Sequence, residues 1–137
     1  MPRERLRLDH VFGYRGFDTL GNLGFTPVGE LVFHIAGACV VQSLEEGHSK
    51  LQRQQFFTKH KKEICAMCVH PSEDYVATAE KAAEPWIYLW SARRIKFDHD
   101  EGYTTIPIRK LQGPLRKGIS CMTFCTGPLL AVVGEDK

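Results

Sequence analysis

Residues 64–90 read ICAMCVHPSEDYVATAEKAAEPWIYLW. Three short runs rich in β-branched, aromatic and small apolar residues, 64–70, 75–79 and 86–90, are separated by the turn-forming residues 71–74 and by the charged stretch 81–85. Runs of this length bounded by Pro, Ser and Asp are typical of β-strands, and no stretch of the chain shows a convincing apolar period of about 3.6 residues. The segment therefore predicts consecutive strands joined by turns.

The same order of runs and turns recurs on both sides of this segment. Upstream lie four runs, and downstream one further run completes the central unit before a third unit begins; these runs are 22–26, 31–36, 39–44 and 51–58, then 106–111, then 119–125 and 129–133. The turn prolines Pro27, Pro71 and Pro128 are 44 and 57 residues apart, and the charged residues 92–105 lengthen the second interval. A period of roughly 40 to 45 residues with four strands per unit is typical of a β-propeller.

Composition and charge exclude several classes of protein. The chain has 137 residues, 43% of them apolar and 25% charged, and a net charge of +2, which is too mild to indicate a nucleic-acid or membrane partner. The longest apolar stretches are far shorter than the roughly 20 residues of a membrane-spanning helix, and the N-terminus has no signal-peptide pattern, so we expect a cytosolic protein. The odd number of cysteines indicates reduced thiols, which we expect to be buried as small apolar residues; they are Cys39, Cys65, Cys68, Cys121 and Cys125.

The central unit resembles a WD repeat. Lys59-His60 stands where Gly-His is usual, and Leu89-Trp90-Ser91 where the strand usually ends in Trp-Asp. In such repeats a His, a Ser or Thr, a Trp and an acid form a hydrogen-bonded network inside the blade. The resemblance assigns His60, Thr78 and Trp90 to that network, with Glu80 or Glu84 as the nearest acid.

The N-terminal residues 6–18, LRLDHVFGYRGFD, resemble the HELP motif of the echinoderm microtubule-associated protein-like family. The core of the motif is formed by Gly13, Tyr14, Arg15, Gly16 and Asp18. Residues 27–36 also resemble the first blade of that family. The resemblance implies a non-catalytic protein without cofactor that binds tubulin and supports microtubule organisation or stability. It implies a cytoplasmic, cytoskeletal location. The structures with which the family is associated suggest the ciliary axoneme as a location and other cytoskeletal or axonemal proteins as partners.

The fold predicted from the repeat and the two resemblances is all-β, a partial WD-repeat β-propeller of about two and a half four-stranded blades. We expect an N-terminal HELP-type motif over 1–21 and a first blade over 22–58. A second, WD-like blade covers 59–113 with a long insertion at 92–105, and the first half of a third covers 114–137. Because one blade buries its faces only against its neighbours, we expect the open edge after residue 133 to be completed by something else, or the chain to be a fragment or truncated product.

Two interpretations of the motif are open. Gly13 and Gly16 bracket a tight turn, and the residues between and after them are either a tubulin contact or a structural anchor. In the anchor interpretation, which we favour, Arg15 pairs with Asp18 while Tyr14 and Phe17 pack against a blade.

Two basic clusters are the candidate tubulin contacts, because cations are attracted to the acidic surface and tails of microtubules over long range. Lys59, Lys61 and Lys62 lie on the connection between two blades. A second cluster opens the 92–105 excursion and comprises Arg93, Arg94 and Lys96. The alternatives are an ordinary solvated loop surface and, for the whole protein, a WD-repeat scaffold that recruits signalling or ubiquitin-pathway proteins without contacting tubulin.

Other kinds of site are disfavoured. A zinc site would draw on Cys65, Cys68, Cys121 and Cys125 with His60 and His70, but strand residues three apart point to opposite faces, so Cys65 and Cys68 do not readily share a metal. The Gly-Tyr-Arg-Gly stretch lacks the flanking helices of an RNA-binding KH loop. No nucleophile elbow, phosphate loop or paired-carboxylate spacing is present, so we expect no enzymatic activity.

Overall fold

The computed structural model describes residues 8–19, 21–44, 54–96, 103–113 and 115–135, with the backbone alone for 94–96 and 103–104. The described residues contain ten strands and no helix. The strands are β1 Leu23–Phe25, β2 Leu31–Ile35, β3 Ala38–Gln42, β4 Gln54–Phe57, β5 Ile64–Val69, β6 Tyr75–Glu80, β7 Trp86–Lys96, β8 Tyr103–Gln112, β9 Ile119–Phe124 and β10 Leu130–Gly134.

The strands form two four-stranded antiparallel sheets, β1 to β4 and β5 to β8, and a two-stranded sheet of β9 and β10. A single parallel pair, Phe56 with Thr104, links the outer strands β4 and β8 of the first two sheets. The prediction of an all-β partial WD-repeat propeller with two and a half blades is confirmed. The predicted runs agree with the observed strands to within a few residues, except that β7 and β8 are longer than predicted.

The blades stack face to face, with the inner strand β5 packed between β2 of the first blade and β9 of the third. Alternation along β6 serves both interfaces: Val76 and Thr78 face the first blade, and Ala77 and Ala79 face the third. One apolar cluster fills each interface. The first contains Val32, Cys39, Val41, Phe57, Ile64, Met67, Val76, Trp90 and Ala92, and the second contains Ala66, Ala77, Ala79, Ile87, Ile119 and Met122.

The stretch predicted as a long insertion at 92–105 is in large part strand. β7 continues to Lys96 and β8 begins at Tyr103, with an irregular register between Ser91 and Ile95. This extension reaches the first blade, since Gln55 Nε2 donates to Ala92 O at 2.6 Å and Thr105 Oγ1 donates to Phe56 O at 3.0 Å.

The N-terminal motif lies against the first blade. Gln54 on β4 binds the backbone of Val11 twice, accepting from Val11 N at 2.9 Å and donating to Val11 O at 3.1 Å. Arg15 N donates to His34 O of β2 at 3.1 Å. The segment is thus fixed to an outer and an inner strand of one blade.

Turns alternate between the two ends of the strands. Ile64 N donates to Ala36 O and Lys81 N donates to Glu63 O, both at 2.7 Å, so the β2–β3 turn, the β4–β5 connection and the β6–β7 turn lie together at one end. The β8–β9 connection joins them, because a Cβ on Gly118 would lie 3.6 Å from Ala82 O. The β1–β2, β5–β6 and β9–β10 turns lie at the opposite end. Within the described residues, none forms a helix with the length and apolarity that crossing a membrane requires.

Candidate functional site

The glycines of the motif have distinct structural roles. Gly13 has a φ of 79°, in the left-handed region where a side chain is strained. Gly16 instead makes room for a ring, because a Cβ there would lie 3.0 Å from Cε2 of Tyr14. The chain bends at Gly13 and again at residues 17–18, and Arg15 between these bends lies against the blade.

Arg15 is the central contact of the motif. Its side chain is buried and binds Asp18 in a bidentate manner, with Nε to Oδ1 and Nη2 to Oδ2 both at 2.6 Å. Its Nη1 donates to Glu63 Oε2 at 2.8 Å, and Glu63 immediately precedes β5 of the second blade. Its carbonyl oxygen accepts from Thr19 Oγ1 at 3.1 Å and from Asn22 Nδ2 at 2.5 Å. One side chain thus connects the motif to the junction of two blades.

The ion pairs of Arg15 stabilise its charged form and that of Asp18. The hydrogen bonds that Arg15 donates to Asp18 raise the pKa of the guanidinium further above its usual range, and burial opposes this effect. The hydrogen bond from Arg15 lowers the pKa of Asp18. The pair is therefore fully charged across the physiological range of pH.

The aromatic residues of the motif do not behave as the anchor interpretation expects. Tyr14 is 51% exposed and Phe17 is 87% exposed, so the expectation that both rings pack against a blade is wrong. Arg15 fixes the segment to the blades, and the aromatic rings remain at the surface. Arg15 Cζ lies 5.8 Å from the ring centroid of Phe17. Most of that ring is nevertheless in solvent.

The predicted blade residues His60, Thr78 and Trp90 lie together, and the acid beside them is Glu80. Trp90 Nε1 donates to Thr78 Oγ1 at 3.2 Å, Thr78 Oγ1 lies 2.7 Å from His60 Nε2, and His60 Nδ1 lies 3.3 Å from Glu80 Oε2. Every group is satisfied if the hydroxyl donates to Nε2 and Nδ1–H donates to the carboxylate, which assigns the imidazole tautomer. Burial lowers the pKa of His60, and the bond to Glu80 opposes this effect.

An aromatic cluster places this network at the interface of the first two blades. Phe57 of β4 stacks on Trp90 with centroids 4.9 Å apart and planes 3° apart. Tyr88 contacts the Phe57 and His60 rings edge-on at 5.5 and 4.6 Å. Because these groups are buried and mutually satisfied, the network positions the β4–β5 connection that follows Phe57.

That connection carries the candidate lysines Lys59, Lys61 and Lys62, all exposed. Three further exposed cations lie at the same end of the strands. Together the six residues form what we call the basic face: Lys59, Lys61, Lys62, Lys81, Arg116 and Lys117. On the described part of this end the exposed acids are Asp18, Glu63, Glu84 and Glu135, and Arg15 binds the first two.

The second candidate cluster lies elsewhere. Arg93 is exposed at the opposite end of the strands, since the N–H of the preceding Ala92 donates to Asp74 O of the β5–β6 turn at 2.7 Å. The side chains of Arg94 and Lys96 lie outside the described residues. The candidate cations therefore do not form one surface, because β7 carries residue 93 a full strand length away from the β4–β5 connection.

The cysteines differ from the expectation that all are buried. Cys39 is buried, Cys65 and Cys68 are half-buried, and Cys121 and Cys125 are exposed, so the expectation is wrong for the last two. Burial raises the pKa of the Cys39 and Cys65 thiols and raises that of Cys68 to about 12. Among the described residues, no group of three or more His, Cys, Asp or Glu side chains is arranged to hold a metal ion.

Two contacts were not anticipated from the sequence. Glu63 as the second carboxylate on Arg15 is 48 residues away, and Gln54 as the clamp on Val11 is 43 residues away. Lys81 belongs to the charged stretch 81–85, and its place on the basic face follows from the hydrogen bond that its backbone N–H donates to Glu63 O. No local pattern marks any of these three.

The fold and the motif define a HELP-motif protein built on WD-type propeller blades. A family model described as HELP motif matches residues 1–41. The chain is 31% identical over 147 aligned residues to Echinoderm microtubule-associated protein-like 2 of Rattus norvegicus, an alignment that covers 99% of this chain and 20% of the relative. It is 30% identical over 132 residues to Echinoderm microtubule-associated protein-like 1 of Mus musculus, covering 90% of this chain and 14% of the relative.

A sea urchin protein extends the similarity. The 77 kDa echinoderm microtubule-associated protein of Strongylocentrotus purpuratus is 33% identical over 97 residues, covering 66% of this chain and 13% of that protein. The resemblance seen in the sequence is thereby confirmed, and the chain is a relative of the echinoderm microtubule-associated protein-like proteins. It spans about a fifth of the length of the rat relative. These relatives are named as microtubule-associated proteins, and none of these names describes an enzyme.

Proposed function

We propose that this chain is a non-catalytic microtubule-associated element that contacts tubulin through its basic face. The observation that carries the proposal is the clustering of six exposed cations on three successive connections at one end of the blades. The names of the relatives also support a microtubule-associated role. The cytoskeleton is the location that follows from this role.

The physical basis is electrostatic attraction between this face and the acidic microtubule surface. Exposed charges interact over about 8 to 10 Å at physiological ionic strength, so several cations on one face add their fields at the point of encounter. Such a surface raises the association rate and gives a strong dependence on salt. A single exposed lysine contributes little, on the order of 0.2 to 1 kcal/mol, so the contact depends on the set.

The backbone holds these cations in a fixed arrangement. Gly37 allows a close approach of the β2–β3 turn, since a Cβ there would lie 3.2 Å from Lys62 O. The hydrogen bond from Lys81 N to Glu63 O ties the β6–β7 turn to the same connection. Little backbone entropy is lost on binding when the connections are already ordered, which favours a specific contact over a diffuse attraction.

The finer proposal is that binding to tubulin supports microtubule organisation or stability. The motif contributes indirectly, because Arg15 binds Glu63 and thereby fixes the entry to β5 directly after Lys61 and Lys62. The competing scaffold function predicts binding of soluble partners without any affinity for the microtubule lattice.

The test is co-sedimentation of the chain with taxol-stabilised microtubules across a salt series. The variant replaces Lys59, Lys61 and Lys62 with Gln, and the matched control replaces the exposed Arg93 and Arg109 with Gln. We expect the parent and the control to pellet at low salt and to be released as salt rises. The triple variant should bind roughly tenfold more weakly, since three exposed charge contacts are lost.

Microtubules from which the acidic tails have been cleaved separate two modes of contact. Loss of pelleting would assign the contact to the tails, and retention would assign it to the tubulin body. A parent chain that is folded by circular dichroism but does not pellet at low salt would refute direct tubulin binding and leave the scaffold function.

A further inference from the structure

A groove lies at the end of the strands opposite the basic face, between the β1–β2 turn of the first blade and the β5–β6 turn of the second. Its volume is about 470 Å3. The lining combines apolar and acidic side chains with one cation. It consists of Thr26, Pro27, Val28, Glu30, Ser72, Glu73, Asp74, Ala92 and Arg93.

The first wall of the groove is held by hydrogen bonds within its turn. Thr26 is buried, its N–H donates to Glu30 O at 2.9 Å, and its Oγ1 accepts from Glu30 N at 3.0 Å. Gly29, with a φ of 85°, donates from its N–H to Thr26 O at 2.9 Å. These bonds present Val28 at the tip of the turn, where it is 82% exposed.

The second wall is held by two side chains of the neighbouring blade. His70 Nδ1 accepts from Glu73 N at 3.0 Å, and its Nε2 lies 2.9 Å from Gly127 O of the third blade. Ser91 Oγ donates to Asp74 Oδ2 at 2.8 Å, and Arg93 N donates to the same hydroxyl at 3.1 Å. Both walls are therefore formed before any ligand arrives, which lowers the cost of binding.

The chemistry of the lining selects the ligand. Pro27 and Val28 offer exposed apolar surface, and the carboxylates of Glu73 and Asp74 lie beside the one cation of the described lining, Arg93. A metal ion is not the ligand, because these carboxylates do not converge as a metal-binding group. A cationic side chain beside an aliphatic one fits both features, and the volume lies within the range of about 300 to 1,000 Å3 common for ligand pockets.

We propose that this groove binds a peptide segment of a partner protein in which a Lys or Arg lies next to an aliphatic residue. The aliphatic side chain packs on Val28 and Pro27, and the cation pairs with Glu73 and Asp74. Arg93 at the rim weakens the binding of cations by repulsion. The proposal is independent of tubulin binding, because the groove and the basic face lie at opposite ends of the strands.

The test is selection of a random heptapeptide display library on the full chain, with counter-selection on a chain that carries Glu73→Lys and Val28→Asp. We expect the recovered peptides to be enriched in Lys or Arg adjacent to Leu, Ile or Val. Synthetic copies of these peptides should bind the Glu73→Gln variant about three- to tenfold more weakly and the Arg93→Gln variant two- to fivefold more tightly. Glu84→Gln at the opposite end is the matched control and should leave the affinity unchanged.

Recovery of acidic peptides, no enrichment above the counter-selected chain, or binding that survives Glu73→Gln together with Val28→Ser would overturn the proposal. Thermal melting of each variant checks that the fold is intact. Microtubule pelleting of the Glu73→Gln variant should equal that of the parent, so a failure of tubulin binding and a failure of this groove are distinguishable.

Discussion

His34 is a buried histidine whose replacement should change the pH dependence of stability. It is 0% exposed on β2, opposite Cys39, and neither ring nitrogen has a hydrogen-bond partner among the described residues. Burial, followed by the positive charge of Arg15, lowers its pKa to about 4. The unfolded chain has the ordinary value of about 6.5.

The sign and size of the effect follow from linkage. Below pH 6.5 the unfolded chain takes up a proton at this position while the folded chain does not. The free energy of unfolding of the parent is therefore at its full value above pH 6.5 and decreases as pH falls towards 4. A difference of about 2.5 pKa values at roughly 1.4 kcal/mol each gives a loss of about 3 kcal/mol. The assay is urea unfolding of the parent and of His34→Leu between pH 8 and pH 4.

We expect the His34→Leu variant to be as stable as the parent at pH 8, or more stable by about 1 kcal/mol, because two unbonded buried nitrogens are removed. Its advantage should grow by up to about 3 kcal/mol on acidification. Phe33→Leu, at a buried position beside it without a titrating group, is the control and should give a pH-independent difference. Parallel stability curves for His34→Leu and the parent would show that the reasoning is wrong.

Three further predictions concern the motif and the blade network. Arg15→Ala should lower stability by about 2 kcal/mol in urea unfolding, and Arg15→Lys should restore only part of it because an ammonium does not form the bidentate pair; equal stability of all three chains would contradict the anchor function. Thr78→Val should lower the free energy of unfolding by about 2 to 3 kcal/mol, because it leaves an indole N–H and an imidazole nitrogen unbonded. Its control is Thr123→Val at an exposed position, which should change the free energy of unfolding by less than about 0.5 kcal/mol. Gly13→Ala should lower the melting temperature because its φ is 79°, and Gly113→Ala, which has no positive φ and open space around it, should not; a reversed order would exclude strain at the turn.

Most of the fold was predictable because its determinants are local. Runs such as 64–70 and 119–125 are rich in apolar and β-branched residues, and the Pro and Gly turns that follow them mark strand ends, so the strands could be located without tertiary information. The extension of β7 to Lys96 was not predictable, since it depends on pairing with β8 and on the hydrogen bond that Gln55 of another blade donates to Ala92. Strand pairing at a rim depends more on its neighbours than on intrinsic propensity.

The candidate site was predictable only in its parts. The pairing of Arg15 with Asp18 involves residues three apart, and the His60, Thr78 and Trp90 network follows a known repeat pattern. The pairing of Arg15 with Glu63 depends on a loop closure over 48 residues that no sequence signal marks. The exposure of Phe17 was also unpredictable, because long-range contacts of Arg15 and Gln54, and not ring packing, hold the motif in place.

The two ends of the strands differ in charge for a reason that lies in the repeat itself. A four-stranded antiparallel blade starts and finishes at the same end, so each connection to the next blade falls at that end, and cations in successive connections accumulate on one face. Lys61 and Arg116 lie 55 residues apart in sequence yet share this face because one blade separates them. In the described part of the chain the opposite end carries the β1–β2, β5–β6 and β9–β10 turns, and Glu30 and Asp74 lie in the first two of them. A mutation that shifts a strand by one residue would leave both surfaces in place, whereas loss of a whole strand would move the next connection to the other end. The charge asymmetry therefore depends on an even number of strands per blade and not on any single ion pair.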